Sequence, residues 1–111
     1  MQALQPTALE SELLDAFHAL YANEGFPQPR EILLLDRTNT GAGRYVDLSS
    51  SGAVISRDGY FDLGGRYIEM TGVPNGMMAV VLVSKGKPET LEIAAYGGCG
   101  WDGIEQPWVL K

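Results

Sequence analysis

The stretch Met77-Met78-Ala79-Val80-Val81-Leu82-Val83 is the longest apolar run in the chain, and Ser84-Lys85-Gly86-Lys87-Pro88 follows it. Seven residues fall far short of the roughly 20 that a membrane-spanning helix needs. Set between turn-rich segments, the run reads as a strand over residues 77–84. The turn after it is short, so the next strand, over residues 90–96, is expected antiparallel beside it. Residues 32–35 are as continuously apolar as 77–83, the pattern of central strands covered on both faces. One helix covers only one face. The second cover is expected from the C-terminal segment with Trp101 and Trp108, from the long loops, or from a second copy of the chain.

Working outward, further strands are expected over residues 31–36, 44–48, 53–56 and 66–70. They are separated by turn-rich segments at 38–43, 49–52, 57–59, 64–65 and 72–76. Upstream of all of them, Thr7-Ala8-Leu9-Glu10 has the form of a capping box that starts a helix. Leu9, Leu13, Phe17 and Leu20 recur at helical spacing, and Leu14, Ala16 and Tyr21 widen the stripe. Glu10 falls near that apolar face by angle, and its capping role accounts for it. Asn23-Glu24-Gly25, with Pro27 and Pro29 beyond, stops the helix, giving a span of about residues 8–23. The expected architecture is α+β in a single domain over 1–111. One N-terminal amphipathic helix packs on a curved, mostly antiparallel sheet of about six strands. Trp108-Val109-Leu110 docks at an edge or forms a further short strand.

With 14 acidic and 8 basic residues among 111, the formal net charge is -6. Nucleic acid and anionic membrane both reward clustered Lys and Arg, so neither is expected as a partner, and a basic protein fits better. Cys99 is the only cysteine and His18 the only histidine, which excludes an internal disulfide and a conventional zinc site. The single thiol fits a reducing compartment. Residues 1–12 lack the pattern of a secretory signal, so the expected location is cytoplasmic. No cofactor is implied.

The most informative pattern is an internal echo. Gly43-Arg44-Tyr45-Val46-Asp47-Leu48 recurs as Gly65-Arg66-Tyr67-Ile68-Glu69-Met70, with a partial copy in Tyr60-Phe61-Asp62-Leu63. Each unit runs aromatic, apolar, acid, apolar. Alternation along a strand sends Val46, Leu48, Ile68 and Met70 to the core and Tyr45, Asp47, Tyr67 and Glu69 to the other face. Such a face either docks a basic partner or is an ordinary solvated sheet surface. The candidate partner-binding residues are Tyr45, Asp47, Tyr60, Asp62, Tyr67 and Glu69.

Gly97-Gly98-Cys99-Gly100-Trp101-Asp102-Gly103 is the most unusual segment, placing a thiol, an indole and a carboxylate in a loop with four glycines. It reads either as a functional loop or as a wide turn that lays Trp101 over the sheet, with Cys99 as a small apolar residue. Thr40-Gly41-Ala42-Gly43-Arg44 lacks the spacing of a phosphate loop and reads as a hairpin turn. Asp58, Asp62 and Asp102 do not match a calcium loop. Asp47 with Glu69 makes a catalytic carboxylate pair only if their strands adjoin.

The leading expectation is a non-enzymatic interaction module, of the kind an immunity protein or intracellular inhibitor provides. The alternative is a small enzyme or ligand-binding protein with a pocket between helix and sheet lined by Tyr96, Cys99, Trp101 and Asp102. A third is the subunit of a structural homodimer, joined through the doubly apolar strands.

Overall fold

The capping box is present in the computed structural model, which describes residues 3–52 and 54–111. The Glu10 amide donates to the Thr7 hydroxyl at 3.1 Å, and the Thr7 amide donates to the Glu10 carboxylate at 2.9 Å. From it runs helix α1, Ala8–Tyr21, followed by a 3-10 turn over Ala22–Glu24. Gly25, at φ +94, turns the chain away in a left-handed conformation that other residues resist. Leu9, Leu13, Leu14, Ala16 and Phe17 are buried. Leu20, expected in the stripe, is largely exposed, because α1 rolls its contact face toward Leu14 and Ala16. Tyr21 instead packs edge-on against Phe61, with ring centroids 4.8 Å apart.

Seven strands form one sheet: β1 Ile32–Asn39, β2 Gly43–Ser50, β3 Gly59–Asp62, β4 Ile68–Met70, β5 Val73–Ser84, β6 Lys87–Ala95 and β7 Trp108–Leu110. The order is β1-β2-β6-β5-β4-β7, with every pairing antiparallel. β3 lies off this path and pairs with the second half of β5, residues 80–83. The α+β class, the single long helix and the antiparallel sheet are as expected, and Trp108–Leu110 is the further short strand.

Four local expectations are corrected. Residues 54–56 form no strand, and Ala53 lies outside the described residues. The Ile55 amide donates to the Gly86 carbonyl and the Ser56 amide to the Glu24 carbonyl, so this segment straps the helix end to the β5–β6 turn. The missing strand is β3, the partial copy of the echo. β5 begins at Val73, inside the expected turn, because Gly76 at φ +76 absorbs an irregularity in its pairing with β4. β1 is not central: it is the outermost strand, and Leu33 is 52% exposed. Nor does the C-terminal segment cover the second face. Trp101 is buried in the core, and Trp108 donates from Nε1 to Glu12 of the helix, so both close the helix side.

Gly43 shows how tightly β2 meets β6. A Cβ there would overlap the Ile93 carbonyl oxygen and meet the Ala94 Cα at 3.0 Å. Gly43→Ala is therefore expected to cost about 1–3 kcal/mol, the usual range for overpacking. A fall in the urea midpoint at unchanged slope checks it.

Candidate functional site

The sheet has one closed face and one open face. Val46, Leu48, Ile68, Met70, Val81, Leu91 and Ile93 point under the helix and are buried. Side chains at alternate positions point the other way, and the strand register arranges them in rows. One row runs Tyr45, Glu92, Val80, Asp62 across β2, β6, β5 and β3. The next runs Asp36, Asp47, Thr90, Leu82, Tyr60, beginning on β1. Tyr67 and Glu69 flank the same face at β4, where Glu69 pairs with Val109 of β7. All six residues singled out in the echo are exposed on this one face.

Two depressions adjoin on the open face and share Val80. The smaller, about 270 Å³, lies between Tyr45 and Tyr60, with Val80, Leu82 and Thr90 beneath and Asp47 and Glu92 at its rim. The larger, about 700 Å³, runs from Asp62 past Met78 to Tyr96, with Tyr67, Glu69 and Arg66 along it. Its length follows from the divided edge of β5, where β3 and β4 pair with different halves of one strand.

Charge is distributed unevenly between the faces. Among the described residues the ion pairs are Arg37–Glu10, Arg44–Glu10, Arg44–Glu105, Arg57–Glu24 and Lys111–Glu69. Only the last touches the open face, at 3.9 Å between exposed groups, where screening leaves it little strength. Among the described residues Asp36, Asp47, Asp62 and Glu92 take part in no ion pair, although Arg57 lies near enough to Asp62 to feel its charge. Asp36 stands directly opposite Asp47, a like-charged pairing that costs stability. Asp62 also has a structural duty, accepting from the Gly64 amide at 2.8 Å and the Tyr21 hydroxyl at 3.3 Å. Burial and the Asp62 carboxylate beside it push the Tyr21 hydroxyl above its ordinary range.

No known protein family, curated protein or solved structure matches this chain. Its site is therefore described by its own geometry alone.

Several expected constellations are not assembled. Asp47 on β2 and Glu69 on β4 have β6 and β5 between them, so they form no carboxylate pair. Of Tyr96, Cys99, Trp101 and Asp102, only Trp101 and Asp102 line one depression, about 280 Å³, together with Thr71 and Gln106. Tyr96 edges the larger groove on the open face. Trp101 is buried and donates from Nε1 to the Ile104 carbonyl at 2.9 Å, while Asp102 accepts from the Ile104 amide. The Cys99 sulfur accepts from Asn75 Nδ2 at 3.4 Å. Where a helix–sheet pocket was expected, Leu9, Leu13 and Phe17 fill the space. His18 Nδ1 is 3.0 Å from the Phe26 carbonyl. Residues 40–43 form the β1–β2 hairpin turn, with the Thr40 hydroxyl accepting from the Gly43 amide at 3.0 Å. Asp58 accepts from the Lys85 and Gly86 amides, and no cluster of potential metal ligands occurs among the described residues. No helix there is long and apolar enough to cross a membrane.

The closed side holds a polar cluster that reading the sequence missed. Arg44 is 3% exposed and Glu10 fully buried. Arg44 donates to Glu10 at 2.9 Å, Glu105 at 2.7 Å, the Gly103 carbonyl at 2.7 Å and Asn39 at 2.9 Å, and lies 4.8 Å over the Trp101 ring. Arg37 takes the other side of Glu10, at 2.6 and 2.7 Å. Two signals were available. Arg44 shares strand parity with Val46 and Leu48, and Glu10 sits by angle near the apolar stripe.

Burial alone would raise the Glu10 carboxyl. The Arg37 and Thr7 hydrogen bonds and the charges of Arg37 and Arg44 outweigh it and hold the group below its ordinary 4.5. A carboxyl lowered in the folded state adds stability that is complete above the unfolded value and is lost as pH falls through the folded one. Glu10→Gln keeps the cap but leaves Arg44 with Glu105 as its one carboxylate and Arg37, partly exposed, with none. It is expected to cost about 1.5–3 kcal/mol at neutral pH, the usual worth of hydrogen bonds to charged groups. It should also flatten the fall in stability below pH 4.5. Urea unfolding of both proteins from pH 3 to pH 7 measures the two effects, the wild-type acid loss appearing as the steeper limb.

Proposed function

We propose that the chain is a non-enzymatic interaction module that docks a basic protein partner on its open sheet face, as an immunity-type or inhibitor protein does. The observation that carries this reading is the set of three carboxylates outside any ion pair among the described residues, Asp36, Asp47 and Glu92, on a face that also exposes Asp62, Tyr45, Tyr60 and Tyr67. The chain's net charge of -6 has the same sign as the face.

Tyrosine supplies rigid contact area at small entropic cost, and carboxylates at a rim steer a cationic partner and select against acidic ones. A strand-built platform also needs little rearrangement on binding, since its side chains stand on a hydrogen-bonded backbone. Binding a cation between Asp36 and Asp47 would relieve their repulsion, so part of the docking energy is stored in the free protein.

Affinity capture from the source cells tests this, run in parallel with the wild type and with Asp47→Lys/Glu92→Lys. The wild type is expected to retain a basic protein that rising salt releases, and the charge-reversed variant to lose it. The same protein retained equally by both contradicts the reading.

A further inference from the structure

We infer that the cleft between Tyr45 and Tyr60 receives one arginine side chain of the partner, an inference that rests on the docking reading above. Tyr45 on β2 and Tyr60 on β3 stand three strand spacings apart and two residues out of register, about 16 Å at the backbone at roughly 4.8 Å per spacing and 3.3 Å per residue. Between them lies a floor of Val80 and Leu82 on β5 and Thr90 on β6. Two aromatic walls over an aliphatic floor suit a flat, weakly hydrated cation that can stack, better than a compact and strongly hydrated ammonium.

The rim supplies the matching acceptors. Asp47 and Glu92 occupy diagonal positions on adjacent strands, and Asp36 lies across from Asp47. A guanidinium carries five donors in a rigid fork and can address two carboxylates at once, whereas an ammonium is a point donor. Neither ring is engaged elsewhere: among the described residues the stacked aromatics are Phe17, Tyr21, Phe26 and Phe61, and the guanidinium-on-ring contacts involve Trp101, Tyr21 and Phe61.

Elsewhere the chain holds an arginine of its own with groups of the same kinds. Arg44 lies over the Trp101 ring between the carboxylates of Glu10 and Glu105. The cleft offers rings and carboxylates in that combination with the cation left to come from outside. The larger groove beside it is the weaker candidate, because Arg66 already lines it.

NMR titration of the isotope-labelled full chain at low salt tests the inference with three hexapeptides, built on arginine, on lysine and on uncharged citrulline. The arginine peptide is expected to give saturable shifts centred on Tyr45, Tyr60, Val80 and Thr90. It should bind about three- to tenfold tighter than the lysine peptide, and citrulline should be silent. Tyr60→Ala, at an exposed position, should reduce arginine binding to the lysine level while the spectrum stays folded. Equal arginine and lysine affinities, with shifts spread over the face, overturn the arginine cleft and leave the docking reading standing. Absence of shifts with both cationic peptides overturns the two together.

Discussion

Arg44 is held by two carboxylates, a backbone carbonyl, an asparagine side chain and an indole face, drawn from three separate parts of the chain. Glu10 brings the helix start, Asn39 the end of β1, and Trp101, Gly103 and Glu105 the glycine loop and the residues just after it. A buried ion cluster of this kind adds little net stability compared with a well-packed apolar equivalent, but removing one partner leaves a charge stranded. Its effect is to fix relationships: α1 can sit on the sheet only where Glu10 reaches Arg44 and Arg37. The Leu9 amide, one of the free donors at the helix start, also reaches Glu105 at 3.2 Å. Helix, sheet edge and C-terminal segment are thereby fastened on one side of the molecule.

That fastening determines what the opposite side is left with. Arg37, Arg44 and Arg57 are all committed on the helix side or at its end, and Arg57 also lies over the Phe61 ring. The C-terminal tryptophans close the same side. Among the described residues few cations and no covering layer remain for the second face, where the echo places its tyrosines and acids. The polarity of the two faces follows from strand alternation, and the charge imbalance follows from where the arginines are spent.

Local patterns were legible in the sequence, and distant pairings were not. The capping box, the helix and its stop, and the division of Val46, Leu48, Ile68 and Met70 from Tyr45, Asp47, Tyr67 and Glu69 depend on periodicities within a few residues. The split edge of β5, with β3 and β4 side by side along it, depends on contacts that no local pattern encodes. Residues 54–56 are apolar enough to suggest a strand, yet their backbone bonds go to a turn and a helix end. Glu10 and Arg44, 34 positions apart, each had a sufficient local explanation, a cap and a hairpin turn, which hid their pairing. The reading of the glycine loop as a route for Trp101 into cover was right about burial and wrong about the face covered.

On the proposed docking reading, an acidic face attracts its partner from a distance, and that attraction is screened by salt. The most direct measurement is the association rate with the captured basic partner, followed by stopped flow as ionic strength rises from 0.02 to 0.5 M. The account predicts a rate that falls by about tenfold or more over that range, with a much weaker effect on dissociation. An association rate that does not change with salt would contradict it.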